Sequence, residues 1–429
     1  MEEVLQFVWR YRLWSGASLR TDCGQRVTVI DAGEQNHGSG PDFFNAKLLI
    51  DGEMWVGNVE IHNVASDWYR HGHDTDPAYD SVVLHVVAKS DRPVLRVDGR
   101  IVPQAVITWS DDALRRYNEM VSDPLADLPC ARDILSVPRV YMADWLTALG
   151  MQRLQRKADD VMQRVDSHAG DWQEAIYITL ARALGFGTNA EPMERLARAV
   201  PLKRLLSKRD DMFAVDGLLV GMSGMLADSP RDAYEQRLTA EFRFLTHKFG
   251  LTPPDPAIQW QLKVRPQNSP LMRVAALGAF VAQGFGIGRR ILGLKNVADT
   301  EGLFDVGYSP YWSANSAFGR PRPVAVSRAV SAASAQLLTI NVAAPVVYAY
   351  GMAVGDDRRM ELAVDILNSL KPENNTATRL FAGAGIDVRG AFDGQACLQL
   401  RNEYCQRRKC LFCRIGRQII NGKRVAPFA

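Results

Sequence analysis

Cysteine is scarce in this 429-residue chain, long apolar runs are missing, and the two signs of charge nearly cancel. Six cysteines are too few for the disulfide scaffold of a secreted protein of this length. No window holds eighteen uninterrupted apolar residues; the nearest, VAVSRAVSAASAQLLTINVAAPVVYAYGMAV, is broken by Arg328, Asn341 and Pro345. The first residues, MEEVLQFVWRYRLW, put two acids ahead of a short apolar stretch without a small-residue cleavage site, which predicts a helix and not a signal peptide. These absences point to a soluble, cytoplasmic protein with no membrane partner. The net charge of +3 is too small to imply a partner by itself. What is present, 47% hydrophobic and 23% charged residues, suits a globular chain of two or three domains.

The patterning predicts an α+β protein. QRVTVIDA (25 to 32), FFNAKLLI (43 to 50), EMWVGNVEIH (53 to 62) and SVVLHVVAK (81 to 89) are strand-like, with Asp51-Gly52 and Asp98-Gly99 as hairpin turns. A short helix is expected after Ser66, limited by Gly72 and Pro77. From about 138 onward apolar residues recur at three and four spacing, the mark of helices. The expected division is a mixed-sheet domain at 1–122, a helical domain at 123–310, and a helical C-terminal region at 311–429 carrying a cysteine cluster.

Five of the seven histidines, His37, His62, His71, His73 and His85, fall in the first 85 residues among many acids. Asp42, Glu60 and His62 are the sharpest group. Carboxylate ligands suit Mg2+ or Mn2+, and imidazole moves the preference toward manganese or zinc. If Asp51-Gly52 is a two-residue turn, Ile50 pairs with Glu53 and Asp42 falls opposite Ile61. A one-residue bulge brings Asp42 opposite His62, and only that register places all three side chains on one sheet face. A shared site therefore requires a bulge or a frayed strand end near Asp42. Without one, Asp42 caps a strand while Glu60 and His62 form a structural polar pair. His71 and His73 are candidates for a further metal ligand or a phosphate contact, against the plainer reading of a polar loop. His85, inside VVLHVV, reads as a hydrogen-bonded core histidine.

CLQLRNEYCQRRKCLFCRIG places Cys397, Cys405, Cys410 and Cys413 close together, a spacing that suits Zn2+ or, alternatively, an iron–sulfur cluster. Cys397 is the weakest member; if it faces away on a helix, a histidine or Cys130 must complete the set. Residues 401–429 carry eight lysines and arginines against Glu403 alone. Arg407, Arg408, Lys409 and Arg414 are therefore candidate phosphate contacts, as are Arg265 and Arg273 of RPQNSPLMR. The alternatives are a solvated tail and a loop fixed to a helix start.

Pro41-Asp42, the following hairpin and Glu60-Ile61-His62 resemble the PD-(D/E)XK nuclease superfamily, whose order of helix, strand, hairpin, helix and strand is also expected here. The departure is His62 where lysine is usual. The resemblance implies a metal-dependent phosphodiesterase acting on nucleic acid, DNA favoured, with Asp42 and Glu60 binding the metal and His62 as a water-positioning base or a third ligand. Over NHGSGPDF, WVGNVEIHNVASDWYRHGHDTDPAYDSVVLHVV, NAEPMERLA, RPQNSPLMR and YCQRRKCLFCRIG the chain also resembles a bacterial family known as domain of unknown function 2851. Two rival functions remain: a non-catalytic nucleic-acid-binding or scaffold protein on a nuclease-like fold, and a different metallohydrolase built on the histidines.

Overall fold

The computed structural model describes residues 2–14, 19–36, 38–109, 111–123, 126–252, 258–264 and 268–421. It is a mixed α+β protein with a curled sheet near the N-terminus and a helical remainder. The chain divides into two compact units: residues 1–145 with 383–386 and 400–429, and residues 146–382 with 387–399. The span from 311 onward is thus shared between them. His37 lies outside the described residues.

In the first unit the opening helix α1 runs over Glu2–Tyr11. The sheet that follows is built from β1 (Leu19–Arg20), β2 (Arg26–Asp31), β3 (Glu34–Gln35), β4 (Phe43–Ile50), β5 (Glu53–Val64), β6 (Val82–Lys89) and β7 (Gln104–Val106). Its order is β1-β2-β4-β5-β6-β7, with β3 pairing on β4, antiparallel up to β5 and parallel from β5 through β7. Thr21 bridges Ala105, so the first strand's end meets the last strand and the sheet nearly closes. Asp98-Gly99 also turns the chain as expected, with Leu95 bridging Ile101.

Ile50 pairs with Glu53, as the two-residue turn requires. The register then slips between Ala46, opposite Gly57, and Phe43, opposite Val59. Phe44 and Asn45 therefore stand against Asn58 alone, and Asn45 takes the left-handed conformation (φ 57°) that such a bulge needs. The extra residue lies in β4 and not in β5. Counting outward, Asp42 faces Glu60, and the expected pairing with His62 is corrected by two positions. The parity is unchanged, so the three residues still belong to one face.

That face is set by what covers the other. Val59, Ile61, Leu84 and Val86 join Leu5 and Val8 of α1 in one apolar core. Side chains alternate, so Glu60, His62 and His85 point the opposite way. There Ala65, Trp68, Tyr79, Val82, Val87, Val94 and Val102 form a second, smaller core. Trp68 comes from α2 (Asp67–Arg70), which follows the strand within three residues.

The second unit is a helical assembly packed on one large core that includes Leu180, Leu219, Leu277, Phe280 and Val346. Pro201, which cannot donate to a helix interior, separates the helices Ala190–Ala199 and Leu202–Leu206. Among the described residues one helix, Ala332–Val354, is long and apolar enough to cross a membrane, and 67% of its apolar window is buried within the protein. A π-turn at Thr339–Ala343 precedes Pro345 in it, the usual accommodation where a proline removes a helical donor.

Asp216 sits at the centre of this unit, 1% exposed. Its Oδ2 accepts hydrogen bonds from the Tyr234 hydroxyl (3.0 Å), Ser309 Oγ (3.2 Å) and Trp312 Nε1 (3.0 Å). Burial pushes its pKa up from 3.8 to about 7, only partly offset by those three donors. A raised carboxyl pKa means that the stabilising contribution is complete below the unfolded value and is lost as pH rises through the folded one. The expected result is that wild type loses stability relative to Asp216→Asn between pH 3.8 and about 7, by at most about 4 kcal/mol. Urea unfolding of both proteins across that window checks it; a pH-independent difference would refute the assignment.

Candidate metal centre

Four elements of the first unit deliver the polar side chains. Glu60 and His62 come from β5, His85 from β6, Asp42 from the approach to β4, and His71 and His73 from the turn after α2. Gly72, at φ +76°, lets the chain double back between the two histidines. Trp68 is fully buried, donates from Nε1 to the Leu95 carbonyl (2.9 Å), and lies against the His73 and His85 rings at 5.4 and 5.3 Å. Tyr79 stacks on His73 with centroids 3.7 Å apart. Aromatic walls thus fix the imidazoles before any ligand arrives.

The donor atoms converge. Glu60 Oε1 lies 3.5 Å from His62 Nε2 and 3.3 Å from His73 Nε2. His62 Nε2 is 3.1 Å from His71 Nδ1, and ligand atoms of His62, His71 and His73 all fall within 4.8 Å of one another. Behind them, His62 Nδ1 faces His85 Nε2 at 2.9 Å, which fixes the orientation of the His62 ring. On the other side, Glu60 Oε2 accepts from the Asp42 amide (3.0 Å) and Asp42 Oδ2 accepts from the Ile61 amide (3.0 Å). Gln6 of α1 donates to Asp42 Oδ1 at 2.8 Å.

Burial governs the electrostatics. It pushes the Asp42 and Glu60 carboxyls well above the carboxylate range; the Glu60 charge and then Glu2 raise Asp42 further, and Glu2 also raises Glu60. Burial pushes His62 down to about 2 and His85 to about 3, each reinforced by neighbouring imidazoles, and lowers His73 as well. The histidines are therefore held neutral, the form that ligates metals. His73 Nε2 is buried without a hydrogen-bond partner, aimed at a carboxylate oxygen and two further imidazoles. A divalent cation bound by tetrahedrally placed donors at 2.0–2.2 Å separates those donors by roughly 3.3–3.6 Å. Glu60 Oε1 stands at about that distance from His62 and His73, and His71 joins through His62.

His73 thus stands beside Glu60, and His71, exposed, beside His62. His85 is the hydrogen-bonded core histidine expected, yet its bond to His62 makes it part of this cluster. Gln6 and Glu2 escaped the sequence reading; the signal was the polar stripe Glu2, Gln6, Arg10 at four-residue spacing on an amphipathic helix.

The other candidate residues separate. Arg273 is 6% exposed, bonded to Asn268 Oδ1 (2.6 Å) and stacked over Phe186, so it is packed inside the second unit. Arg265 lies outside the described residues, as do Lys423 and Arg424. Arg407 pairs with Glu403 at 3.0 Å, Arg408 binds backbone carbonyls, and Arg414 pairs with Asp144 over the Trp145 ring. Lys409 is exposed. Cys405, Cys410 and Cys413 are buried in the first unit, while Cys397 lies in the second on the helix Ala391–Leu400, against Asp393.

Comparison with curated proteins gives no match, and comparison with solved structures gives none. Residues 2–376 match the family described as "Protein of unknown function (DUF2851)", and the chain belongs to that family.

Proposed function

We propose that the first unit is a metal-dependent hydrolase whose substrate is a phosphodiester of nucleic acid, DNA first. The observation that carries this reading is the convergence of Glu60 Oε1 with His62 and His73 at 3.5 and 3.3 Å, beside a second carboxyl on Asp42. Glu60, His62, His71 and His73 would hold the cation. Three imidazoles and one carboxylate suit manganese or zinc better than magnesium, which prefers oxygen ligands. When bound, a divalent metal polarises a phosphoryl oxygen and lowers the pKa of its water.

His62 has both ring nitrogens engaged, toward His85 and toward His71 and Glu60, which supports its role as a ligand over that of a water-positioning base. Asp42 is the remaining carboxyl. Gln6 and the Ile61 amide hold its two oxygens in place at the strand end, where it can orient a water toward the phosphorus. The order of helix, strand, hairpin, short helix and parallel strand supports the likeness to PD-(D/E)XK nucleases, and the Asp42–Glu60 pairing supports it at the site.

The test is manganese-stimulated cleavage of single- and double-stranded DNA by the full-length protein. Asp42→Asn should cut at least ~100-fold more slowly, the scale of a lost acid–base contribution. Manganese affinity should change little in that variant. Equal rates in wild type and variant would overturn the catalytic reading. Salt-dependent DNA binding without product from wild type would move the assignment to a non-catalytic binding protein.

A further inference from the structure

Four buried thiols in the first unit remain outside this account, the exposed Cys23 apart. Cys130, Cys405, Cys410 and Cys413 are 6–8% exposed, and none is in a disulfide. Two segments of the chain bring them together. The loop after Cys405 turns at Arg408, which takes the left-handed conformation (φ 53°) and sends its guanidinium to the Ala126 and Asp123 carbonyls at 2.7 and 3.0 Å. Arg401 pairs with Asp127 at 3.0 Å. These bonds fasten residues 401–413 to the stretch that leads directly into Cys130. Beyond the cysteines, the helix Arg414–Ile420 packs against the 3-10 turn Ile134–Ser136 that follows Cys130.

The electrostatic neighbours agree with the fastening. Cys130 lies within reach of Cys413 and Cys410, and Cys405 within reach of Cys130, Cys413 and Cys410. Cys397 has only Asp393 as such a neighbour.

Spacing separates the two candidate cofactors. A single zinc with Zn–S bonds of about 2.3 Å draws four sulfurs to roughly 3.8 Å from one another. Among the described residues the only groups of three or more potential ligand atoms within 4.8 Å belong to the histidine site, so no three thiols here approach that closely. An iron–sulfur cluster places several irons and inorganic sulfides between its cysteines and holds them farther apart. The Ile415 and Gly416 amides, on the turn that follows Cys413, offset part of the rise that burial gives its thiol, the kind of N–H contact that tunes such clusters.

We propose that Cys130, Cys405, Cys410 and Cys413 ligate an iron–sulfur cluster, with Cys130 and not Cys397 as the fourth ligand. The cluster ties the segment after residue 400 to the end of the sheet-bearing part of the chain. It is independent of the histidine site, and neither reading needs the other.

The test uses full-length protein purified without oxygen. Expected are iron and acid-labile sulfide in equal amounts and the broad visible absorbance that zinc lacks. Cys397→Ser should keep the full iron and sulfide content, whereas Cys130→Ser should lose at least ~80% of it, in line with loss of one of four ligands. Zinc without sulfide, or no bound metal, in wild type would overturn the cluster. Loss of iron from Cys397→Ser with retention in Cys130→Ser would overturn the ligand assignment. If Cys130→Ser fails to fold, the Cys397→Ser result still decides between the two ligand sets, because a fully loaded variant cannot lack a ligand.

Discussion

Glu60→Gln is expected to weaken manganese binding at least ~100-fold and to abolish any metal-dependent cleavage. The reasoning is geometric. Glu60 is 5% exposed, its Oε1 is shared by His62 and His73, and its Oε2 accepts from the Asp42 amide. Glutamine is the same shape, but it brings no charge to balance a cation that three neutral imidazoles cannot balance. Changes one shell further out typically cost 10–100-fold, so loss of the only charged ligand sets the lower bound. Manganese is the right probe, since soft thiolates prefer other metals and the cysteines therefore contribute little to the signal. Electron paramagnetic resonance of the titrated protein reads free against bound manganese. Equal affinity in the two proteins would remove Glu60 from the site.

Trp68→Ala should destabilise the first unit by about 3–5 kcal/mol, the range for large aromatic deletions in a core. Trp68 is fully buried, anchors the smaller core to the Leu95 carbonyl and walls the His73 and His85 rings. Its removal takes away both a packing centre and the surface that fixes two imidazoles. Denaturant unfolding should show the loss, with metal affinity falling in the same variant. Conversely, added manganese should recover part of the lost stability, because a ligand bound only by the folded state stabilises it by mass action. Stability within 1 kcal/mol of wild type would mean that the smaller core is held elsewhere.

Local chemistry explains what was legible in the sequence. Asp51-Gly52 specified its hairpin and the Ile50–Glu53 pairing, and the alternating strand residues specified which face they bury. The need for a bulge near Asp42 followed from side-chain parity alone. Its location did not, because Asn45 adopts its left-handed conformation in a tertiary setting that includes a bond from its amide to the Asn58 side chain. The sequence offered His71 and His73 as candidate ligands but not the partners they meet. His73 reaches Glu60, and His71 reaches His62, on a turn where Trp68 and Tyr79 pack against the His73 ring, a contact no spacing rule encodes. Cys130 lies 275 residues before Cys405, and sequence proximity favoured Cys397, a neighbour in the chain but a member of the other unit.

The first unit's discontinuity has a bearing on biosynthesis. Residues 146–382 and 387–399 intervene in chain order between the sheet and the segment holding Cys405, Cys410 and Cys413. A ribosome emits the N-terminus first, so the sheet with its histidines can condense early while its last piece is still unsynthesised. The Leu411 and Ile420 side chains, which complete the larger apolar core of that unit, arrive only after more than 250 further residues. During that interval the nascent sheet exposes part of its core and depends on protection from association. Truncation shortly before residue 400 should therefore cost solubility out of proportion to the few residues removed, since it deletes the closing piece of the domain that began the chain.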